Sequence, residues 1–133
     1  MVILSLGLHP SALDYSRHPG LDEATLTARI TAAEAALHQA GFDIVSCQVS
    51  ADPDEAEARI RECVVARPVE GVMIGAGLRT APEHTLLFER AVNLLNRLVP
   101  GIVFCFNTSP ETTIEALRRC TRPARQDLGP QSR

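Results

Sequence analysis

A cluster of reactive side chains follows the first apolar run of the chain. The segment from His9 to Leu21 has about 13 residues, whereas connections of this kind usually have roughly two to six. We predict that His9, Asp14 and Tyr15 are the candidate catalytic residues, because they can supply acid–base contacts. Ser16 is predicted to contact the ligand. The alternative is an ordered surface loop that is held by its own hydrogen bonds, with aspartate and serine forming turns.

A second cluster, with the sequence GAGLRT, follows the third apolar run. Gly75 and Gly77 let backbone N–H groups approach a ligand closely, and the planar guanidinium of Arg79 suits a carboxylate or a phosphate. A predicted helix begins directly afterwards, and the N-terminus of a helix favours anions. These residues predict an anion pocket. The alternative is that the glycines serve a tight turn and that Arg79 pairs with an acid such as Glu83.

A third polar group follows the fourth apolar run. Asn107 and Thr108 can both donate and accept hydrogen bonds, and we predict that they orient the ligand at the mouth of the site. Residues of these types also cap helices well. Capping of the last helix is therefore part of their predicted role.

The elements that must position these clusters alternate between strand and helix. Apolar runs at 2–8, 43–49, 71–75 and 101–106 predict four strands. Helices are predicted over 22–40, from 52 up to Pro68, over 83–98 and from 110 onward. Continuous apolar strands between amphipathic helices indicate a parallel sheet that is covered on both faces. We predict one Rossmann- or flavodoxin-like α/β domain over 1–121, with strand order 2-1-3-4 and a flexible tail over 122–133.

The three clusters meet at one edge of this predicted sheet. Open parallel sheets bind ligands outside the carboxyl ends of their strands, where the strand order reverses. In the order 2-1-3-4 that point lies between the first and third strands. The sequence therefore predicts a single site that is formed by the loops after strands one, three and four.

The basic residues exclude several kinds of chemistry. All 13 are arginines, so a Schiff-base lysine, a pyridoxal phosphate anchor and a Walker-type phosphate lysine are all excluded. The net charge is −3, with no tryptophan and one tyrosine, which argues against binding of nucleic acid. The four cysteines form no C-x-x-C pair and have no histidine at zinc-ligand spacing. We therefore predict no metal and no cofactor.

The chain is predicted to be cytoplasmic. Residues 1–8 lack a basic leader, and no apolar stretch approaches the roughly 18 residues that cross a membrane. The cysteines are predicted to be small buried residues in a reducing compartment. No contact with a membrane is predicted.

Two features predict self-association. The helix over 83–98 is apolar on more than one side, and the strand over 101–106 is an apolar strand at the edge of the predicted sheet. A homodimer through these two elements would cover both. Alternatively, the last helix and the tail cover them within one chain.

Four motifs together carry a resemblance that spans nearly the whole chain. They are Gly7-Leu8-His9-Pro10 with Asp14-Tyr15-Ser16, Ile74-Gly75-Ala76-Gly77-Leu78-Arg79-Thr80, Leu87-Phe88-Glu89 with Val92-Asn93, and Phe106-Asn107-Thr108-Ser109-Pro110. In this combination the chain resembles a family of small bacterial proteins of uncharacterised activity, whose members often carry an acid at the position of His9. The resemblance implies a stand-alone Rossmann-like domain and no particular activity.

The functional expectation is binding of a small anionic metabolite that carries a phosphate or a carboxylate. If the protein is an enzyme, metal-free acid–base chemistry such as isomerisation, cyclisation or hydrolysis fits the residue types best. One alternative is a non-catalytic, dimeric interaction domain. Another is a degenerate half-domain that binds a mononucleotide.

Overall fold

A computed structural model of the chain describes residues 1–121, and the predicted tail over 122–133 lies outside the described residues. The strands are β1 (Val2–Leu8), β2 (Asp43–Val49), β3 (Gly71–Ile74) and β4 (Val103–Phe106). The helices are α1 (Glu23–Gln39), α2 (Pro53–Ala66), α3 (Ala76–Arg79), α4 (Thr85–Leu98) and α5 (Thr113–Cys120). Short 3-10 turns connect several of these elements.

The four strands form one sheet in the order β2-β1-β3-β4, and every pairing is parallel. The predicted α/β class and strand order are confirmed. Ser5 of β1 lies beside Ser46 of β2 on one side and Met73 of β3 on the other. Gly7 lies beside Gln48. The central strand, β1, therefore aligns the ends of its two neighbours at one carboxyl edge.

Capping residues set the ends of α1. The carboxylate of Asp22 accepts a hydrogen bond from the amide of Thr25 at 2.7 Å, which satisfies one free N–H at the start of the helix. At the other end, Gly41 has φ +90°, a conformation that favours glycine. The amide of Phe42 then donates to the carbonyl of Leu37, as in a Schellman motif. Both ends agree with the predicted helix.

Thr80 does not cap the helix that is predicted over 83–98. The hydroxyl of Thr80 donates to the carbonyl of Ala76 at 2.9 Å, because the preceding segment forms the short helix α3, which was not predicted. A 3-10 turn, Pro82–His84, then leads into α4, which has no side-chain cap. The chain after β3 therefore turns back against the sheet edge before α4 begins.

The two faces of the sheet are packed differently. Leu4, Leu6 and Leu8 of β1 point to the face that α2 and α4 cover, where the larger cluster of buried apolar residues lies. The other face carries Ile3, which packs with residues of α1 and α5 in a smaller cluster. This difference matters because the smaller cluster contains Ile3 of β1 and Ile44 of β2 but none of the residues that follow them on the same face of those two strands.

Two glycines on the α1 and α5 side of the sheet are expected to respond oppositely to alanine. A Cβ at Gly71 would lie 2.8 Å from Cδ1 of Ile3 and 3.0 Å from Sγ of Cys120, so Gly71→Ala should destabilise the protein by about 1–3 kcal/mol. A Cβ at Gly7 would meet nothing within 4 Å. Gly7→Ala should therefore be neutral or stabilising by about 0.5–1 kcal/mol. Urea unfolding of both variants measures the difference, and equal destabilisation would contradict it.

Candidate functional site

A cavity of about 350 Å³ lies between α1 and the sheet and reaches the carboxyl edge. Its floor is formed by β1, β2 and β3, and its roof by α1. Its mouth is lined by residues of the loops after β3 and β4, together with part of the loop after β1. The cavity therefore lies at the edge that the strand order predicts.

Small and polar residues make up the floor. Ser5 and Gly7 of β1 and Ser46 and Gln48 of β2 line the cavity, and the register pairs serine with serine and glycine with glutamine. The other face of β1 carries a leucine at every position of the same stretch. The cavity exists because side chains that would fill the space below α1 are small here.

The roof is apolar but only weakly attached. Leu26, Ile30, Ala33 and Leu37 of α1 line the cavity. Only Leu37 is a buried residue of this 17-residue helix, with 1% of its surface exposed. The helix thus covers the cavity with a row of apolar side chains and makes few buried contacts of its own.

Asn107 joins two of the loops at the mouth. It is 93% buried, since 7% of its surface is exposed. Its side-chain oxygen accepts a hydrogen bond from the amide of Ala76 at 2.9 Å, and its side-chain nitrogen donates to Oγ1 of Thr113 at 2.9 Å. The predicted ligand-orienting amide therefore lines the cavity, but its hydrogen bonds hold the loop of Gly75 and Gly77 against α5.

Thr108 also lines the cavity and also takes part in local hydrogen bonds. Its amide donates to Oγ1 of Thr112 at 2.9 Å, and the two threonine hydroxyls are 3.1 Å apart. Ser109 and Thr112 form a capping box at the start of the turn that precedes α5. Ser109 of this loop thus caps the turn before α5, whereas α5 itself has no side-chain cap.

Arg79 does not line the cavity, although Gly75 and Gly77 do. Its guanidinium donates through Nη2 to the carbonyl of Asn107 and lies 5.1 Å from the ring centre of Phe106. Nε lies 3.4 Å from the carbonyl of Ile74. Arg79, which the sequence predicts to bind an anion, therefore binds backbone carbonyls instead.

The alternative pairing predicted for Arg79 is wrong. The carboxylate of Glu83 instead accepts hydrogen bonds from Arg17, at 2.8 Å. This ion pair connects the loop after β1 to the turn before α4 and is half exposed on both sides. Neither Arg17 nor Glu83 lines the cavity.

The candidate catalytic residues of the first loop are used within the loop. The hydroxyl of Tyr15 donates to the carbonyl of Pro10 at 2.6 Å, and Nδ1 of His9 lies 2.8 Å from the hydroxyl of Ser11. Asp14 accepts from both the amide and the hydroxyl of Ser16. His9, Asp14, Tyr15 and Ser16 are absent from the lining of the cavity. These four residues thus cap or form two 3-10 turns, Pro10–Ala12 and Tyr15–Arg17, outside the cavity lining.

The protonation states of Asp14 and Tyr15 suit a structural role. Hydrogen bonds from Ser16 lower the pKa of Asp14, so its carboxylate is ionised at neutral pH. Desolvation raises the pKa of Tyr15, so its hydroxyl stays protonated and keeps donating to the carbonyl. Neither group has a pKa that is moved toward 7, where a general acid or base works best.

Several cavity residues were not predicted from the sequence. They are Ser5, Ser46 and Gln48 on the strands, Arg29 and Glu34 on α1, and His18 at the mouth. The detectable signal was in the strands themselves, since serine and glycine interrupt the apolar run of β1 on alternate positions. Such alternation indicates that one face of a covered strand is left unfilled.

Two polar links hold the roof in place. Arg29 of α1 donates to both oxygens of Glu111, from Nε at 2.8 Å and from Nη2 at 2.6 Å. Glu34 of α1 accepts from the hydroxyl of Ser46 at 2.7 Å. These contacts cross from α1 to the turn before α5 and to β2. The charge of Arg29 is thereby compensated by a carboxylate beside the cavity.

The link between Arg29 and Glu111 is expected to depend on pH. The hydrogen bonds from Arg29 lower the pKa of Glu111 to about 2, below its value in the unfolded chain. A carboxylate with a lowered folded-state pKa stabilises the fold above its unfolded pKa, and this contribution is lost as the pH falls through about 2. Because both groups are substantially exposed, Glu111→Gln should cost only about 0.5–1 kcal/mol at neutral pH.

Urea unfolding between pH 7 and pH 2 tests this dependence. The difference between wild type and Glu111→Gln should be constant above about pH 5 and should vanish toward pH 2. Glu89→Gln is the control, because it removes an exposed carboxylate from α4. A difference for Glu111→Gln that is as large at pH 2 as at pH 7 would contradict the assignment.

Within residues 1–121, no three histidine, cysteine, aspartate or glutamate side chains are grouped as metal ligands would be. None of the helices in this part of the chain combines the length and the apolar character that crossing a membrane requires. Comparison with known protein families gave no match, and comparison with curated proteins gave none either.

Proposed function

We propose that this protein binds a small organic molecule in the cavity between α1 and the carboxyl edge of the sheet. The observation that carries the proposal is the cavity itself, of about 350 Å³, at the point where the strand order reverses. Its volume falls in the range of roughly 300–1,000 Å³ that is typical of ligand pockets. Its position outside the carboxyl ends of the strands is where open parallel sheets bind their ligands.

The mouth of the cavity is rigid enough to recognise a ligand. Asn107 fixes the position of the Gly75–Gly77 backbone, and Arg79 holds the carbonyl of Asn107 from the other side. Groups held in this way do not need to be ordered when a ligand binds, which favours affinity. The predicted site residues thus act mostly by shaping the pocket.

Binding is better supported than turnover. The acid–base candidates His9, Asp14 and Tyr15 lie at the rim, and their side chains bond within the loop. An anionic metabolite, expected from Arg79, would have to meet His18 or Arg29 instead. We propose a cytoplasmic location, because all four cysteines are free and buried, as suits a reducing compartment.

A second candidate function is that of a dimeric interaction domain. Val103 and Phe106 on the edge strand β4 are 41% and 38% exposed, and Leu86 of α4 is 55% exposed. Most other apolar residues of α4 pack into the core of the same chain. Sedimentation equilibrium of wild type and Phe106→Arg tests this candidate. A monomeric wild type would contradict it.

The binding proposal is tested by replacing each of two alanines of α1 with phenylalanine. Ala33 lines the cavity, whereas Ala32 is exposed on the outer side of the same helix. Ala33→Phe should fill the pocket and Ala32→Phe should not. A thermal-shift screen would use mononucleotides, sugar phosphates, small carboxylates and small neutral amides and alcohols. Ligand at about 100 times its Kd adds roughly 2.7 kcal/mol, or several degrees.

The expected result is a shift in wild type and in Ala32→Phe that is absent in Ala33→Phe. The comparison requires that all three proteins unfold cooperatively without ligand. A shift that is equal in the three proteins would place the ligand elsewhere. No shift with any compound class would contradict the proposal and favour the interaction domain.

A further inference from the structure

We propose that the ligand is an uncharged, compact molecule with an apolar body and one neutral hydrogen-bonding group, such as an amide, an alcohol or a phenol. This inference rests on the proposed function, since it names the ligand class of the same cavity. It differs from the anionic metabolite that the sequence predicts. Four observations on the cavity lining carry it.

The body of the ligand must be apolar because most of the wall is. Leu21, Leu26, Ile30 and Leu37 line one side of the cavity, and Met73 lines the floor. Water in such a space finds few hydrogen-bond partners, so an apolar group that displaces it gains free energy. A highly polar ligand such as a sugar phosphate would leave its own hydroxyl groups without partners against these side chains.

The shape of the floor fits a flat or branched group. Gly7 has ordinary negative-φ backbone, yet no atom of residues 1–121 lies within 4 Å of the position where its Cβ would be. Ser5 precedes it on the same face, two residues away, as the alternation of a strand requires. The open space therefore continues along β1, and an apolar ligand can lie directly on the strand backbone.

Within residues 1–121, the arginine of the lining is already paired, and the imidazole of His18 lies at the mouth. Arg79 binds backbone carbonyls, and Arg29 is held by both oxygens of Glu111. The other charged side chain of the lining is Glu34, whose partner Ser46 is exposed at the edge of the sheet. Glu34 would repel a carboxylate or a phosphate. Burying an unpaired anion here would carry a desolvation penalty without compensation.

Neutral hydrogen-bonding groups are available. Within residues 1–121, the side chains of Ser5 and Gln48 make no hydrogen bond to protein, and both line the cavity. The hydroxyl and the amide can each donate and accept. One neutral polar group on the ligand therefore has partners of both kinds. The amide of Gln48 lies beside Gly7 in the register, next to the open space.

The test uses five probes that share one ring and differ in charge. Benzamide and benzyl alcohol are neutral, benzoate and phenyl phosphate are anionic, and benzylamine serves as a cationic comparison. Their dissociation constants for the full chain are measured by NMR titration at pH 8, where imidazole groups are largely uncharged. We expect benzamide to bind at least about tenfold more tightly than benzoate or phenyl phosphate, a difference of roughly 1.4 kcal/mol.

Three variants locate the binding. Gly7→Leu should weaken benzamide binding by at least about tenfold, because the new side chain occupies the open space on β1. Ala33→Phe fills the same space from α1 and serves if Gly7→Leu does not fold, while Ala32→Phe is the control. Gln48→Leu replaces the amide with an apolar side chain of similar volume. It should weaken benzamide binding until its Kd equals that of toluene, which has the same ring and no polar group.

The outcomes separate this inference from the proposed function. Tighter binding of benzoate, phenyl phosphate or benzylamine than of benzamide would overturn the neutral ligand class and leave a small-molecule site. Benzamide binding that is unchanged in both Gly7→Leu and Ala33→Phe would overturn the location. Failure of every probe, neutral and charged, together with no shift in the wider screen, would overturn the proposed function itself.

Discussion

Arg79→Ala is expected to lower the free energy of unfolding by about 2–3 kcal/mol in the absence of any ligand. The guanidinium donates to the carbonyl of Asn107, and hydrogen bonds from a charged group contribute about 1.5–3 kcal/mol each. Its position 5.1 Å from the ring centre of Phe106 adds roughly 0.5–1 kcal/mol. Both contacts hold the loop after β4 against the loop after β3. Urea unfolding of the purified variant measures the loss.

Two further variants show which property of Arg79 is responsible. Arg79→Lys keeps the charge but lacks the planar fork, so it should recover less than half of the loss. Arg17→Ala removes a half-exposed arginine that pairs with Glu83, and it should cost much less stability than Arg79→Ala. If Arg79→Ala instead leaves the stability unchanged and weakens phosphate binding, Arg79 belongs to an anion pocket, as the sequence predicts.

The fold could be predicted because its signals are local. The apolar runs mark each strand, and Asp22, Gly41 and Asp52 cap helices by hydrogen bonds or backbone conformations that involve only near neighbours. The strand order follows from general rules for β-α units. None of these features depends on how a particular side chain is directed across the sheet.

The site could be predicted only in part, because its side chains depend on tertiary contacts. The rule for parallel sheets predicted the edge at which the cavity lies, and Gly75, Gly77, Asn107 and Thr108 line that cavity. The short helix α3 was not predicted, and it turns Arg79 toward backbone carbonyls. The polar residues within the strands, such as Ser5 and Gln48, lie in apolar runs and carry no distinctive motif.

In the loop after β1, the residue types suit both catalysis and turn formation. Histidine, aspartate and tyrosine are chemically versatile, so their presence in this loop predicts catalysis. The same side chains are also the ones that stabilise turns, and Asp14 here accepts from the amide two residues later. Residue types alone do not distinguish these two roles. The lining of the cavity does, because it includes Leu13, His18 and Leu21 of this segment and not the candidate catalytic residues.

The amide hydrogens of α1 are expected to exchange with solvent at least about 100-fold faster than those of α4. This ratio corresponds to a difference of roughly 2.7 kcal/mol in the free energy of local opening. Only one side chain of α1 is buried, whereas four are buried in α4. The two polar links that hold α1, from Arg29 and from Glu34, lie near solvent and contribute little. Hydrogen exchange resolved by residue measures the ratio.

Leu37→Ala should remove most of the remaining protection from α1 and leave α2 and α4 protected. Leu37 packs in the smaller core cluster with Ile3 and Ile44, and its truncation should cost about 2–5 kcal/mol. Leu86→Ala, at an exposed position of α4, is the control and should leave both helices unchanged. A bound ligand should slow exchange in α1 more than in α4, because α1 forms the roof of the cavity. Equal exchange rates in α1 and α4 would instead show that the domain opens as one cooperative unit, so that a ligand would have to reach the cavity through its mouth alone.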